Sequence, residues 1–299
     1  MATIHRIQSR GYRVFRVCNV IVMILLMIAV LVPILSVVVS SFVSAAEIAR
    51  RGVFILWPEE IDLGSYQYLW ECRNNIIRAY QNTLFRTIVG TALSLTVTTM
   101  MAYSLSKKYL KGRVLINGLV FFTMLFSGGL IPTYMVVKMF GLIDSLWSLV
   151  IPGLVSAWNM FIMRNFFYSI PDSLEEAALI DGANQAQILT RVTLPLSKAV
   201  LATIGLFYAV GQWNSWFDAM LYINTSSKLP MQNVLRNIIN SVSDLDALGS
   251  EQYELMDVKP ASTSLRCAVI VITATPIIIV YPFVQKYFVK GVMIGSVKG

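Results

Sequence analysis

Charge is scarce in this chain. Only 13% of its 299 residues are Asp, Glu, Lys or Arg, about half the share found in an ordinary soluble domain. With 56% hydrophobic residues and a mean hydropathy of +0.66, such a chain is expected to spend most of its length in lipid. Histidine is scarcer still. His5 stands alone in a basic tail, which removes histidine-based triads and metal sites. The three cysteines, Cys18, Cys72 and Cys267, lie far apart, match no metal-ligand spacing and read as small apolar fillers. No glycine-rich phosphate cradle is present, so nothing here binds a nucleotide by a known loop. No acidic residue sits at the centre of an apolar run, as a proton- or sodium-coupled carrier would require. The net charge of +8 is not gathered into a basic patch with interleaved aromatics, which argues against nucleic acid. The acid pairs Glu59/Glu60, Glu175/Glu176 and Asp244/Asp246 lie in polar segments and read as solvated, so catalysis has little support.

What the chain does have is long apolar runs. Six are expected to span a membrane with a core of about 30 Å: Val17–Phe42, Asn82–Leu105, Val114–Val137, Leu146–Tyr168, Ala199–Ile223 and Thr263–Phe283. The first is too long for a signal-peptide core and reads as a retained span. Pro33 is expected to kink it. The second is rich in Thr, Ser, Gly and Ala, a face suited to close helix packing or to a wetted path. Ser127-Gly128-Gly129 and Pro132 interrupt the third, and Pro152-Gly153 the fourth. Such breaks are tolerated at membrane depth only where protein or water covers them. The long polar segments are 44–80, with Trp57, Tyr66, Tyr68 and Trp70 as an interfacial belt or a docking face, and 224–262, expected as a loop.

Six spans place both termini on one side. The side holding residues 1–16, the turn 106–113, the stretch 164–198 and the tail carries about 14 Lys/Arg and about 4 Asp/Glu. The other side carries about 10 and about 12. The positive-inside rule makes the first side cytoplasmic.

The longest polar run between two strongly apolar blocks is Ser169–Lys198. Pro171-Asp172-Ser173 is a helix-start signal with Asp172 or Ser173 as cap, and Glu175 and Glu176 suit the positive end of the helix dipole. Ala177, Ala178, Ile180, Ala183 and Ala186 are small or apolar. Gly182 interrupts the pattern and Pro195 ends it. The pattern predicts two short helices hinged near Gly182, on the cytosolic side.

Within this stretch, Glu176-Ala177-Ala178, three residues, Gly182, nine residues, then Val192-Thr193-Leu194-Pro195 resembles the EAA loop of bacterial ABC importer permeases. Val192 for Ile is the one departure. The wider run, with Asp181-Gly182-Ala183 and Arg191-Val192-Thr193-Leu194-Pro195, resembles the sugar-importer branch. The tail Gly291–Gly299 is similar to that of maltose-type permeases serving as the second, six-span subunit. Trp57-Pro58 and the run Leu229-Pro230 to Val234-Leu235-Arg236 resemble the subgroup associated with complex oligosaccharides.

The resemblance implies an all-α integral membrane protein with six transmembrane helices and a cytoplasmic helix-turn-helix coupling loop, the type I importer permease fold. It implies a cytoplasmic tail 1–16, a permease domain 17–290 containing the coupling loop 169–198 and the outer loops 44–80 and 224–262, and a cytoplasmic tail 291–299. Glu175, Glu176, Ala177, Ala178, Asp181, Gly182, Ala183, Leu194 and Pro195 would couple to an ATPase, and Gly291, Gly295, Lys298 and Gly299 would contact it. Gln212, Trp213, Asn214, Trp216 and Asp218 would line the substrate path, where amide, carboxylate and aromatic groups suit a sugar. The chain itself would not be an enzyme and would bind no cofactor or metal, ATP and Mg being held by the partner ATPase. The implied partners are a second permease forming a heterodimer, two cytoplasmic ATPase subunits, an extracellular or periplasmic sugar-binding protein and membrane lipid. The expected place is the inner membrane of a bacterium, with both termini cytoplasmic. The alternatives are an importer permease for a non-sugar solute and, more remotely, a membrane enzyme or self-sufficient carrier.

Overall fold

The computed structural model describes residues 10–52, 54–248 and 263–296, and these are helical with no strand among them. Residues 1–9 of the N-terminal tail, 249–262 of the second long polar segment and Lys298 and Gly299 of the C-terminal tail lie outside the described residues. The chain divides into two compact units, residues 1–72 with 237–274, and residues 73–236 with 275–299.

The first unit opens with α1 (Arg10–Ser40), which carries Pro33 inside it. Val14 to Leu31 present large apolar side chains to the outside almost without interruption, as a helix surrounded by lipid does. Ser44 caps α2 (Ala45–Arg51), its side chain accepting from the Glu47 backbone N–H at 3.2 Å. Gly52, at φ +84°, ends that helix. Val43, Ile48 and Ile55 form a small core beside it. The buried Glu47 accepts hydrogen bonds from the Arg51 guanidinium at 2.6 Å and the Glu59 N–H at 3.1 Å. α3 (Gly64–Glu71) is held by Tyr66, which stacks on Phe42 at 5.0 Å and bonds the Ser41 hydroxyl at 2.8 Å. Trp57 and Trp70 stay exposed.

The second unit is built on α4 (Arg73–Ser106), a rod of 34 residues and about 51 Å. α5 (Arg113–Leu125) and α6 (Leu130–Met139) follow, then a 3₁₀ turn at Leu146–Leu149 and α7 (Ala157–Tyr168). α8 (Asp172–Ile180), α9 (Gln185–Ile188), a π turn at Leu189–Thr193 and the short α10 (Leu194–Leu196) lead into α11 (Lys198–Asn214). α12 (Phe217–Tyr222) comes next, and the residues of α13 (Met231–Leu248) and α14 (Thr263–Ser296) are divided between the two units.

α4, α7 and α11 make the core of this unit. Ala102, Tyr103, Leu105, Met160, Met163, Phe167, Val200, Ile204 and Tyr208 are buried together. Gly90, Ser94, Thr98 and Ala102, each four residues after the last, are all buried on α4. Their small side chains let the backbones of neighbouring helices approach. A Cβ on Gly90 would meet the Gln212 side chain at 3.1 Å, and the Thr98 hydroxyl bonds that of Tyr208 at 2.7 Å.

Several expected spans differ from single straight helices. Among the described residues, two helices are long and apolar enough to cross a membrane alone, Val14–Ser40 and Arg73–Ser106. The third expected span bends by 117° between α5 and α6. Phe126 is extended and Gly129 takes φ +86°, a value that a residue with a Cβ resists. The fourth is α-helical only from Ala157, because Pro152-Gly153 interrupts it and Ser156 starts a new helix as cap. The fifth breaks at Ser215-Trp216 between α11 and α12. The segment 224–262, expected as a loop, contains the 18-residue helix α13. The sixth expected span lies within α14.

At the joint between α6 and the 3₁₀ turn, Asp144 has φ +57°. Its carboxylate accepts from the backbone N–H groups of Asn224 (3.1 Å) and Thr225 (2.9 Å), the Thr225 hydroxyl (2.7 Å) and the Lys228 ammonium (2.8 Å). These bonds, led by that from Lys228, hold the carboxyl well below the usual range. They explain how a non-glycine residue is kept in a left-handed conformation.

Candidate functional site: a braced loop and a polar cavity

The stretch 169–198 is a helix-turn-helix whose turns follow from its residues. Pro171 stands at the cap of α8 without a side-chain cap bond, so Asp172 and Ser173 do not serve as the expected caps. Asp172 is drawn instead to Lys108, at 2.8 Å. That bond raises the Lys108 ammonium's pKa and lowers that of the Asp172 carboxyl. At the other end of α8, the Gly182 N–H donates to the Leu179 carbonyl (3.0 Å) and the Ala183 N–H to the Ala178 carbonyl (2.9 Å). This is a Schellman closure with glycine at φ +79°. Asn184 and Gln187 then form a reciprocal capping box that starts α9. Pro195 sits inside α10, and the chain turns 85° two residues later, at Ser197, into α11.

The end of α4 braces this loop. Lys107 pairs with Glu175, both mostly buried, and its ammonium lies 4.2 Å from the centre of the Tyr103 ring. Tyr103 donates its hydroxyl to Gln185 Oε1 at 2.8 Å. Tyr103, Lys107, Tyr109, Glu175, Leu179 and Ile188 are among the walls of a cleft of about 300 Å³. Burial and the nearby Glu175 raise the Tyr109 pKa. The acids Glu175 and Glu176, alike in sequence, are thus distinguished, because Glu175 is tied to α4 while Glu176 is exposed together with Ala177, Asp181 and Gly182. Ile180, 86% exposed, is an apolar side chain with nothing over it in this chain. Ala178, Ala183 and Leu194 are half-buried and Pro195 is exposed. Gly291 and Gly295 lie within the helical backbone of α14.

The second feature lies around Arg86, a cation in the apolar part of α4 that is 3% exposed. The break at Ser215-Trp216 leaves a free carbonyl and brings Asp218 to the first turn of α12. Arg86 Nη1 donates to Asp218 Oδ1 at 3.0 Å and to the Ser215 carbonyl at 3.2 Å. Nη2 donates to Asp218 Oδ2, and Nε to Gln212 Oε1 at 2.9 Å. The fork of a guanidinium suits this bidentate closure. Beside it opens a cavity of about 440 Å³. Gln212 and Asp218 line it, with Arg86, Ser156, Asn159, Phe207, Tyr208 and Tyr222 among the other walls.

The remaining candidates for a path lie elsewhere. Trp213 is buried with its indole N–H unpartnered, and Asn214 is exposed. Trp216 stands edge-on to Phe217, carries the Arg236 guanidinium 3.6 Å above its ring and accepts at its carbonyl from Asn233 Nδ2 at 2.9 Å. Sequence reasoning missed Arg86, Lys107 and Tyr103. Arg86 had a signal, being a lone cation within an expected span. Lys107 was read only as part of a basic turn. Asn159 was read as a polar position inside the broken fourth span, and nothing marked Tyr103.

Residues 2–294 match the family model described as binding-protein-dependent transport system inner membrane component. The chain is 45% identical to the protein LplC of Bacillus subtilis over 300 residues, covering both chains completely. It is 43% identical to the Bacillus subtilis polygalacturonan/rhamnogalacturonan transport system permease protein YtcP, over 88% of this chain and 91% of that one. It also resembles a chain in the crystal structure of a bacterial ABC transporter involved in the import of the acidic polysaccharide alginate. The TM-score there is 0.83 at 36% identity, over 95% of this chain and 99% of the other.

Proposed function

The chain belongs to the family of binding-protein-dependent transport system inner membrane components, and from that premise we propose that it is the permease subunit of an ABC importer for oligosaccharides. The relatives named for polygalacturonan, rhamnogalacturonan and alginate support a saccharide cargo over a non-sugar solute. In this reading the chain crosses the inner membrane six times with both termini in the cytosol. It pairs with a second permease and takes sugar from an extracellular or periplasmic binding protein. Two cytoplasmic ATPases supply the energy, and ATP and Mg belong to them. Gln212 and Asp218 face the path of the sugar, with Trp213, Asn214 and Trp216 shaping its outer end.

The observation that carries the reading is the braced helix-turn-helix. Its fold needs no partner, yet Glu176, Ala177, Ile180 and Gly182 stay uncovered. A short rigid helix with a small-residue, partly apolar face fits the cleft of another protein. Its bonds to α4 would carry a push from that protein into the membrane helices. Asp181 and Ala183 belong to the same turn, and Leu194 and Pro195 lead the movement into α11. The tail residues Gly291, Gly295, Lys298 and Gly299 would reach the ATPases alongside.

The test is uptake by the reconstituted importer carrying Gly182→Trp or Glu176→Lys. The left-handed φ at Gly182 strains any side chain there, and a bulky group would also obstruct docking. Uptake is expected to fall by at least about tenfold, equivalent to about 1.4 kcal/mol of coupling, with loss of co-purifying ATPase. Wild-type uptake by both variants would overturn the coupling role.

A further inference from the structure

Where α5 leaves the basic turn 106–113, two cations are brought together without an acid. α5 and α7 pack antiparallel, and three contacts mark successive turns. The Arg113 guanidinium lies 5.9 Å from the centre of the Tyr168 ring. One turn along, Arg164 Nη1 donates to Asn117 Oδ1 at 2.6 Å. One turn further, Phe121 stands edge-on to Phe161 at 6.4 Å. Arg113 and Arg164 thus sit diagonally on adjoining helices, and each feels the other's charge. Both are half-buried. No ion pair among the described residues reaches either one. Asp172 and Glu175, the acids drawn to the preceding basic turn, are bound to Lys108 and Lys107. Arg164 spends two of its N–H donors, on Asn117 and Asn165, and a guanidinium has five. The Arg113 side chain donates to no described residue. Like charges held together and partly desolvated are costly unless an anion answers them.

We propose that Arg113 and Arg164 form a seat for the phosphate of an anionic phospholipid of the inner leaflet, a reading that rests on the topology proposed above. The guanidinium fork matches phosphate oxygens, and basic pockets between helix ends on the cytoplasmic side suit anionic head groups. A lipid fits better than a free phosphate because of what adjoins the pair. Val114 and Leu115, 82% and 68% exposed, follow Arg113 directly, and Leu119 and Phe122 continue the exposed apolar surface of α5. Acyl chains would lie along that surface. Tyr168 is exposed and offers the amphipathic ring found at head-group level.

A phosphate held by one arginine from each helix would tie the end of α7 to the start of α5 and relieve their repulsion. The Tyr168 ring is shared with Lys108, whose ammonium lies 5.5 Å from its centre and pairs with Asp172 of α8. The lipid therefore steadies the helix ends against which the loop 169–198 is braced.

The test takes the whole importer from nanodiscs of phosphatidylcholine with a minor share of phosphatidylglycerol and counts retained lipids by native mass spectrometry. The parent is expected to retain phosphatidylglycerol in preference to phosphatidylcholine. Arg113→Gln, which breaks no side-chain bond within the chain, should lower that preference about fivefold, the effect of one cation near an anionic head group. Adding Arg164→Gln should bring the fall to about thirtyfold, equivalent to about 2 kcal/mol. Arg113→Lys should restore most of it, and Lys138→Gln, at the opposite face, should change nothing. An unchanged preference in Arg113→Gln and in the double variant would overturn the inference. So would displacement of the lipid by excess glycerol phosphate, which would mark a site for soluble anions, or a crosslink from Arg113→Cys to another subunit of the assembled importer. Sugar uptake is scored separately on the same preparations. An importer that transports without arginine-dependent lipid overturns this inference alone, and one that keeps the lipid but moves no sugar counts against the permease reading alone.

Discussion

A buried cation has to be answered, and Arg86 is answered by three residues that the sequence keeps far away. Asp218, Gln212 and the Ser215 carbonyl lie 126 to 132 positions further on. Removing one partner of such a pair is far more damaging than removing both, because the remaining charge is left desolvated. Asp218→Ala is expected to destabilise the chain by about 3–5 kcal/mol. The double replacement Arg86→Met with Asp218→Leu should cost much less. Thermal melting of the purified complex checks this through a double-mutant cycle. Additive effects of the two single changes would show that the pair is not coupled. Asp218 was legible as a polar residue at the end of an apolar run. Its partner was not, because a hydrogen bond between distant helices leaves no periodic trace.

At the scale of elements, α4 stands out. Towards its middle it carries Arg86, and at its C-terminal end Tyr103 and the Lys107 that follows it. Seventeen residues separate Arg86 from Tyr103, about 25 Å along the axis. The helix therefore links the loop 169–198 to the break between α11 and α12 by side-chain bonds, in addition to the covalent route through the 85° turn at Ser197. If the loop is where force enters, Lys107→Glu should lower sugar uptake per ATP hydrolysed by more than it lowers assembly. Glu175→Lys in the same chain should restore most of it, since the swapped pair keeps the contact. Unrestored transport in a well-assembled double variant would show that the contact does not position the loop. The loop itself was readable. The break at Gly182 was read from the sequence, whereas the capping box of Asn184 and Gln187, equally local, was not. Asp172 was misread as a cap because a nearby lysine from another element competes for it.

At the scale of the molecule, two helices among the described residues are long and apolar enough to span alone, and the bent pairs raise the number to four. The six-span reading depends further on the chain that folds as the 3₁₀ turn and α7, and on α14. Its orientation makes a direct prediction. A cysteine replacing Lys111 should be shielded in right-side-out vesicles, and one replacing Lys228 should react with an impermeant maleimide. The opposite labelling would invert the topology.

The class of protein, the helical content and the loop 169–198 are legible in the amino-acid order alone. Each of these rests on composition, local spacing or turn chemistry within a few residues. Long-range packing settles that α5 and α6 diverge, that segment 224–262 carries a helix, that Glu175 is braced while Glu176 is exposed, and that Asn159 and Asp218 line one cavity. Those outcomes depend on which helices pack together. In an apolar chain, many faces satisfy the same hydropathy pattern, and the pairing is settled by small-residue contacts such as Gly90 on Gln212 and by a few long-range polar bonds.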